Sequence, residues 1–384
     1  MDARVGAWPR QECDELKAIV IGGGIIGCSV AWRLAAEGIA TTVLERGRMG
    51  QEASWAAAGM IAPQAEADGP GPFFDFCLKA REAFEAIVDR LVRDGGVDPE
   101  YDRAGILYVA LDADERVQLE RRARWQRSVG APLEELSGAE ARRIEPLLSP
   151  EALYAIHMPT NRRTDNRKLT QAYAAAARRA GAEFVEGARV EALAIRGERA
   201  AGVVMDDGST READVVVNAA GSWAGEIRGL EADRVKLHPV RGQMICFEVA
   251  PGTLGPALFS LRGYVVPRRD GRLLAGSTME EAGYNKAVTL AGLDKIARGA
   301  AAIVPALGAA AFREAWAGLR PATRDLLPVL GFSPSVSNVL WAAGHFRSGI
   351  LLSAITGEII ADLVKGRRPA VELGAFSAAR FKEQ

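Results

Sequence analysis

Cysteine and histidine are both scarce in this sequence, and their scarcity excludes two classes of site. Cys13, Cys28, Cys77 and Cys246 are far apart in the 384 residues and form no C-x-x-C pair. This usage is typical of a reducing compartment and of cysteines that pack in a core, and it argues against a disulfide framework or a zinc site. The histidines are equally dispersed, so no histidine-based metal centre is expected. They are His157, His238 and His345.

The chain also lacks an excess of charge and a long apolar run. Its formal net charge is −1, which gives no reason to expect nucleic acid or an anionic membrane as a partner. It has no run of eighteen apolar residues, so no membrane span is predicted. Residues 1–16 have no apolar core, and we expect a loose polar tail on a cytoplasmic protein. The length allows two domains, or one large domain with an added lobe.

What is present is a complete βαβ dinucleotide fingerprint between residues 17 and 45. A short apolar run at 18–21 predicts a buried parallel strand, and a helix-forming stretch follows at 25–37. A second strand is predicted at 41–44, and it ends on Glu45. The turn before the helix has G-x-G-x-x-G spacing, which is provided by Gly22, Gly24 and Gly27.

Each part of this fingerprint has a physical role in holding a dinucleotide. Gly22 allows the tight turn, Gly24 lets the backbone approach a pyrophosphate at the positive helix start, and Gly27 lets helix and strand pack closely. Glu45 can accept hydrogen bonds from a ribose hydroxyl, and its charge disfavours a 2′-phosphate. Arg46 leaves NADP open as an alternative. A glycine-rich turn that binds no ligand is the other alternative.

Patterns further along the chain indicate a second sheet. Small residues dominate 53–59, which suits either close approach to a flat ligand or a tightly packed helix start. The apolar strand at 213–221 fits the nucleotide sheet, whereas 234–278 has an antiparallel pattern with an Asp270-Gly271 hairpin. The segment at 132–150 is expected to be short and irregular in structure. Helices are predicted at 73–94, 112–129, 166–180 and 289–307.

A second helix start near the C-terminus favours a flavin. An apolar strand is predicted at 339–342, a glycine-bounded turn at 344–349, and a helix from there to about residue 365. This helix offers a second set of free backbone N–H groups. In a protein that already has one dinucleotide half, this suits a larger cofactor, because a reduced flavin ring carries negative charge that a helix start stabilises.

Several motifs, in this order and spacing, carry a family resemblance. GGGIIG, Glu45, SWAAAGM, AGLRP and GHFRSGILL resemble the glycine oxidases of thiamine biosynthesis, amine-oxidising flavoproteins related to D-amino-acid oxidase and sarcosine oxidase. The resemblance covers about residues 17–364, and 56–60 and 344–350 are its most specific parts. It implies FAD and suggests a homotetramer. No cysteine lies near Arg320, where covalently flavinylated sarcosine oxidases carry one, so the FAD is expected to be noncovalent.

The resemblance also implies which residues surround the cofactor. Ile25 and Ile26 would lie under the pyrophosphate, Glu45 and Arg46 at the adenosine ribose, and Val190 near the adenine. The other positions implied along the cofactor are Ala53, Ser54, Ala58, Gly59, Met60, His345, Phe346, Arg347, Ser348, Gly349, Ile350 and Leu351. The positions implied in the substrate pocket are Tyr264, Met279, Arg320 and Arg347.

Arg320 is our candidate for the substrate carboxylate, because its planar fork suits a bidentate grip. The Tyr264 hydroxyl is expected to hydrogen-bond to the same carboxylate, and Arg347 to lie near the substrate or a flavin edge. Met279 is expected to line the small apolar part of the pocket. The sequence departs from the family at Arg262, where a histidine is frequent. Arg262 could add positive charge at the pocket mouth or point to solvent.

We therefore predict an α/β fold, with a Rossmann-type FAD-binding domain and a second, antiparallel-sheet (α+β) substrate domain. The FAD-binding domain is predicted at 14–100, 155–230 and 318–384. The substrate domain is predicted at 101–154 and 231–317. The chain therefore passes more than once between the two predicted domains.

The predicted reaction is oxidation of glycine, and of sarcosine and small D-amino acids, by hydride transfer to FAD. It would give the imine, then glyoxylate and ammonia, with hydrogen peroxide from molecular oxygen, and it would serve thiamine thiazole synthesis. A D-amino-acid dehydrogenase that passes electrons to a quinone or carrier is one alternative, and a flavin-binding module without redox turnover is another. An NAD-dependent dehydrogenase is disfavoured by the small residues after Glu45.

Overall fold

The computed structural model describes residues 16–381, and strands make up two large sheets and two small ones. Cys13 and the predicted polar tail lie outside the described residues. The strands are β1 (Lys17–Ile21), β2 (Ala40–Glu45), β3 (Met60–Ile61), β4 (Ile106–Ala110), β5 (Glu134–Ser137), β6 (Tyr154–Met158), β7 (Arg162–Arg163), β8 (Glu183–Glu186), β9 (Val190–Arg196), β10 (Arg199–Met205), β11 (Thr210–Glu212), β12 (Val215–Asn218), β13 (Leu237–Glu248), β14 (Ala257–Ser260), β15 (Gly263–Pro267), β16 (Arg272–Gly276), β17 (Ala311–Thr323), β18 (Val329–Phe332) and β19 (Val339–Ala343).

The six helices longer than ten residues in the described part of the chain fall close to the stretches in which helical periodicity predicts them, whereas α3 and α6 were not predicted. They are α1 (Ile25–Ala36), α2 (Ala53–Ala56), α3 (Pro63–Glu66), α4 (Pro72–Gly95), α5 (Ala113–Ser128), α6 (Gly138–Ile144), α7 (Asn166–Arg179), α8 (Leu290–Ile303) and α9 (Gly349–Val364). Short 3₁₀ turns lie at Gly221–Glu226, Glu231–Asp233, Pro305–Ala309, Gly374–Phe376 and Ala378–Phe381. Pro72 begins α4 and Gly96 ends it with a left-handed backbone, as proline and glycine do at the two ends of many helices.

A six-stranded sheet in the order β18-β19-β12-β1-β2-β8 forms the nucleotide half of the fold. β1 lies between β12 and β2 and runs parallel to both, so the late apolar strand does join the nucleotide sheet as predicted. Helices α1, α4, α7 and α9 pack together over one face, and the three-stranded sheet β9–β11 shares a buried cluster with the other face. Strands covered on both faces are expected to be mainly apolar, and β1 and β12 are apolar except for Lys17 at the start of β1 and Asn218 at the end of β12.

An eight-stranded sheet in the order β17-β13-β16-β15-β14-β4-β6-β5 forms the second half, and only β14 and β4 pair in parallel. The fold class, with one mainly parallel and one mainly antiparallel sheet, is confirmed; the edge pair β18–β19 of the first sheet is antiparallel. One local prediction is wrong: residues 132–150 are not irregular, because they contain β5 and α6. A capping box between Ser137 and Glu140 starts α6, and the S-x-x-E spacing is its sequence signal.

The predicted domain division stays a prediction, but the sheets show where two of its boundaries need adjustment. The boundary after residue 154 falls inside β6, and the boundary after residue 317 falls inside β17. Both strands pair along their length within the eight-stranded sheet, so we place them whole in the second half. Within the described residues, every helix is too short or too polar to cross a membrane.

Candidate functional site

A cavity of about 440 Å³ lies where residues of the two large sheets meet. The first sheet contributes segments that follow the carboxyl ends of β1, β12 and β19, and the second contributes β13, β15 and β17. The carboxyl ends of parallel strands are where open α/β sheets bind ligands. From the predicted cofactor set, the lining includes Gly24, Ile25, Ile26, Ala53, Ser54, Ala58, Gly59, Met60, His345, Phe346, Arg347, Gly349 and Ile350.

Two helix starts open into this cavity, and in neither does the residue before the helix cap it with its own side chain. Gly24 precedes α1, where Ile25 N–H donates to Ser54 Oγ at 2.9 Å. Ser348 precedes α9 and its hydroxyl does not bond to the helix backbone. Apart from Ile25 N–H, such helix starts present free first-turn N–H groups and partial positive charge, and both favour an anionic group in the cavity.

The small residues at 53–59 let this segment pack closely against neighbouring parts of the protein, at the edge of the cavity. A Cβ on Gly59, whose φ is +75°, would lie 2.0 Å from the Thr164 carbonyl oxygen. A Cβ on Gly318 would lie 2.4 Å from Ala56 Cβ, so the segment is pressed against β17. Together with the uncapped helix starts, this geometry fits a dinucleotide cofactor with its pyrophosphate at α1.

Other predicted cofactor residues lie outside the cavity lining, and their roles stay predictions. Glu45 accepts hydrogen bonds from Gly23 N–H and Gly47 N–H, both at 2.8 Å, so its carboxylate fixes the glycine turn. The Arg46 guanidinium lies 3.4 Å from the centre of the Trp223 ring. The rest of this group are Gly22, Gly27, Val190, Ser348 and Leu351.

Arg320 is a partly buried cation whose hydrogen-bond partners are neutral. Its guanidinium donates to Ser277 Oγ at 2.7 Å and to the Thr278 carbonyl oxygen at 3.2 Å. No acidic side chain within 16–381 forms an ion pair with it. Burial lowers the pKa of Arg320, since a desolvated cation is disfavoured. A guanidinium in this state is complementary to a carboxylate that enters the cavity.

Arg347 differs from Arg320 because it already has an acidic partner. Its Nη2 atom lies 3.2 Å from Oε2 of Glu66, a residue that also lines the cavity. The charge of Glu66 raises the pKa of Arg347. Sequence reasoning missed Glu66, because a single acid at the end of the four-residue helix α3 has no spacing that marks it. Ser277 and Thr278 were missed for the same reason.

Tyr264 and Met279 also line the cavity, as the family resemblance implies they should. The Tyr264 hydroxyl lies 3.2 Å from Met244 Sδ, and its ring stacks on Phe259 with the centroids 5.2 Å apart. Met279 has 61% of its surface exposed, so it lies at the rim and not in the core. The structure thus brings together all four predicted pocket residues, while their roles stay predictions.

Arg262 lies at the cavity wall, where two carboxylates hold its side chain. Its guanidinium forms ion pairs of 2.8 Å with both Asp112 and Glu115. These acids offset its charge, so Arg262 adds little positive potential at the pocket mouth. The sequence left two alternatives for Arg262: a free positive charge at the pocket mouth, or a side chain that points to solvent. The paired side chain at the cavity wall fits neither.

His345 is buried and bonds through Nε2 to Thr356 Oγ1 at 3.1 Å. Burial lowers the pKa of His345 to about 3, so the imidazole is neutral near pH 7. No cluster of potential metal ligands occurs in the part of the chain that the structure describes. Cys28, Cys77 and Cys246 are free and buried, which is the packing role predicted for them.

Comparison with known proteins places this geometry in a defined context. The family described as FAD dependent oxidoreductase (DAO) matches residues 17–363. Glycine oxidase of Bacillus licheniformis is 35% identical over 94% of this chain and 96% of that protein. The bifunctional protein ThiO/ThiG of Synechocystis is 36% identical over 94% of this chain, which spans 54% of that protein. The crystal structure of glycine oxidase from Geobacillus kaustophilus matches with a TM-score of 0.90 and 32% identity, covering 95% of this chain and 99% of that one.

Proposed function

The chain belongs to the family of FAD-dependent oxidoreductases, and from this premise we propose that it is a glycine oxidase. The proposed reaction converts glycine to its imine, which water hydrolyses to glyoxylate and ammonia, while molecular oxygen is reduced to hydrogen peroxide. Sarcosine and small D-amino acids are proposed as further substrates. The likeness to ThiO/ThiG supports a role in supplying thiamine thiazole synthesis.

The observation that carries the proposal is the position of Arg320. A guanidinium with neutral partners lines the same cavity as two uncapped helix starts. Its charge and fork geometry select a carboxylate, and the Tyr264 hydroxyl beside it can add a further hydrogen bond. An amino acid held in this way has its α-carbon in the cavity that the cofactor shares, which is the positioning that amine oxidation requires.

FAD, when bound, supplies the two-electron acceptor to which the substrate α-carbon gives a hydride. Backbone N–H groups at the start of α1 would bind its pyrophosphate, and those at the start of α9 would face the ring. The protein is also proposed to bind the neutral amine, which loses its N–H proton as the imine forms. No basic side chain is assigned to this step, because His345 is bonded to Thr356 and buried.

An absorbance spectrum of the purified protein followed by anaerobic addition of glycine tests the proposal. We expect a flavin spectrum that glycine bleaches, and hydrogen peroxide in proportion to glyoxylate once air is admitted. Bleaching without peroxide, together with reduction of an added dye, would instead support a dehydrogenase. A flavin that no amine bleaches would contradict catalysis.

Light scattering tests the proposed homotetramer, and a fractionation of source cells tests the proposed cytoplasmic location.

A further inference from the structure

The cavity contains more charged groups than one substrate carboxylate needs, and they differ in how they are paired. The charged residues that line it are Glu66, Arg262, Lys295, Arg320 and Arg347. Arg262 is offset by two carboxylates outside the cavity, and Lys295 lies on the exposed surface of α8. The inner part of the cavity therefore holds two guanidinium groups and one carboxylate.

Glu66 is the group that sets the balance among these charges. Its side chain is only 10% exposed, whereas that of Arg347 is 38% exposed, so the carboxylate is the more enclosed member of the pair. No hydrogen-bond donor is aligned on Glu66 Oε2 within 16–381, so Arg347 is its close charge partner there. With Arg347 neutralised, Arg320 is left as the single uncompensated cation of the inner cavity.

The backbone on both sides of Glu66 is fixed, which keeps the carboxylate in place. Arg122 donates from Nη1 to the carbonyl oxygens of Gln64 and Ala67, both at 2.8 Å. Gln126 donates to the same Gln64 carbonyl at 2.8 Å. Glu66 also ends α3, where its N–H donates to the Ala62 carbonyl at 3.0 Å. Anchored in this way, the segment keeps the Glu66 backbone beside Arg347.

We propose that Glu66 determines specificity by charge: it occupies Arg347, so that the cavity accepts amines with one carboxylate and rejects those with two. The proposal rests on the proposed amine oxidation. A second carboxylate in the cavity would meet the negative charge of Glu66, and like charges placed together in an enclosed site are strongly disfavoured. Without Glu66, Arg347 would be free to bind that second carboxylate.

Sarcosine and iminodiacetate form a matched pair of substrates for the test, because the second replaces a hydrogen of the N-methyl group by a carboxylate. We expect Glu66→Gln to raise the kcat/KM ratio of iminodiacetate to sarcosine by about tenfold or more. The kcat/KM ratio of D-aspartate to D-alanine should change in the same direction. Each ratio is internal to one variant, so a general loss of activity cancels.

Binding of unreactive anions gives a second readout that does not depend on turnover. Binding is monitored through the change in cofactor absorbance. We expect the ratio of the malonate Kd to the acetate Kd to fall by a similar factor in Glu66→Gln. Glu66→Asp keeps the charge and should leave both ratios near those of the original protein. Adding Arg347→Gln to Glu66→Gln should abolish the gain, since the freed cation is then absent.

Unchanged ratios in Glu66→Gln, with sarcosine still oxidised, would overturn this inference and leave the proposed function intact. Equal loss for all substrates would also overturn it, because a structural role alone predicts that result. If Glu66→Gln does not fold, Glu66→Ala removes the same charge and must give the same shift. If the original protein oxidises no amine, the proposed function fails, and the malonate-to-acetate ratio still tests the charge selection.

Discussion

Single residues set the electrostatics of this site, and the two cavity arginines show how. Arg320 has neutral hydrogen-bond partners, whereas Arg347 faces a carboxylate. Arg320 is therefore available to pair with an anionic ligand, whereas the charge of Arg347 is already paired. Sequence reasoning identified both arginines through their motifs, but the difference between them depends on Glu66, which is distant in the chain.

Arg320→Ala should reduce amino-acid oxidation without changing cofactor content. Truncation of one partner of a desolvated charge pair costs about 2–5 kcal/mol, and we expect kcat/KM for glycine to fall accordingly. Arg313→Ala is the matched control, because Arg313 lies on the same strand with its side chain 45% exposed. An unchanged kcat/KM in the Arg320 variant would refute its assignment to the carboxylate.

His345 should make the stability of the protein depend on pH. Its folded pKa of about 3 is below the usual 6.5, so between these values the unfolded chain binds a proton that the folded chain does not. The contribution is fully present above pH 6.5 and is progressively lost as the pH falls toward 3. Urea midpoints at pH 7.5, 6 and 5 should therefore fall less steeply in His345→Gln. Parallel pH dependences in the two proteins would contradict this assignment.

At the scale of elements, the strength of the sequence signal decided what could be predicted. The βαβ unit was predictable because its apolar runs, glycine spacing and terminal acid all agree on one structure. The β5–α6 stretch was not, since its strand has only four residues and its helix only seven, and such short patterns carry little periodicity. Glu66 and Ser277 escaped prediction because their relevance arises from packing between elements and not from any local pattern.

Gly27→Ala should disturb the packing of α1 on β1. A Cβ at this position would lie 1.9 Å from the Gly22 carbonyl oxygen, so the helix must move away from the glycine turn. We expect lower FAD occupancy after dialysis and a lower thermal midpoint. Gly308→Ala is the control, because a Cβ there meets nothing within 4 Å. A Gly27 variant that retains full FAD occupancy would show that this close approach is not required.

At the scale of the whole molecule, a buried cation links the two halves. Arg268 follows β15 in the eight-stranded sheet, and it donates to the Ala58 carbonyl at 3.0 Å and to Asn166 Oδ1 at 2.9 Å. Asn166 in turn donates to the Ser54 and Trp55 carbonyls at 2.8 and 3.0 Å. The small-residue segment at the cavity is thus bonded both to Arg268, next to the eight-stranded sheet, and to Asn166 at the start of α7, in the other half. Burial lowers the pKa of Arg268 to about 10, so it still carries its charge near neutral pH.

Arg268→Met should destabilise the protein by about 3–5 kcal/mol, the usual effect of removing one partner of a buried charged pair, because Arg268 Nε lies 3.9 Å from Oδ2 of the buried Asp165. Denaturant unfolding measures this change. Arg269→Met is the matched control, since its neighbouring side chain is 53% exposed and pairs with Asp98 on the surface. Exposed pairs contribute about 0–1 kcal/mol. Equal stability changes in the two variants would show that Arg268 does not join the halves.

The order of the strands has a consequence for how this enzyme can acquire new substrates. The chain passes from the six-stranded sheet to the eight-stranded sheet and back twice, a total of four crossings. Neither half is therefore encoded by one continuous stretch, and no single recombination event can exchange the substrate half as a cassette. Divergence within this architecture therefore proceeds through individual replacements in each half, including the residues of both halves that line the cavity.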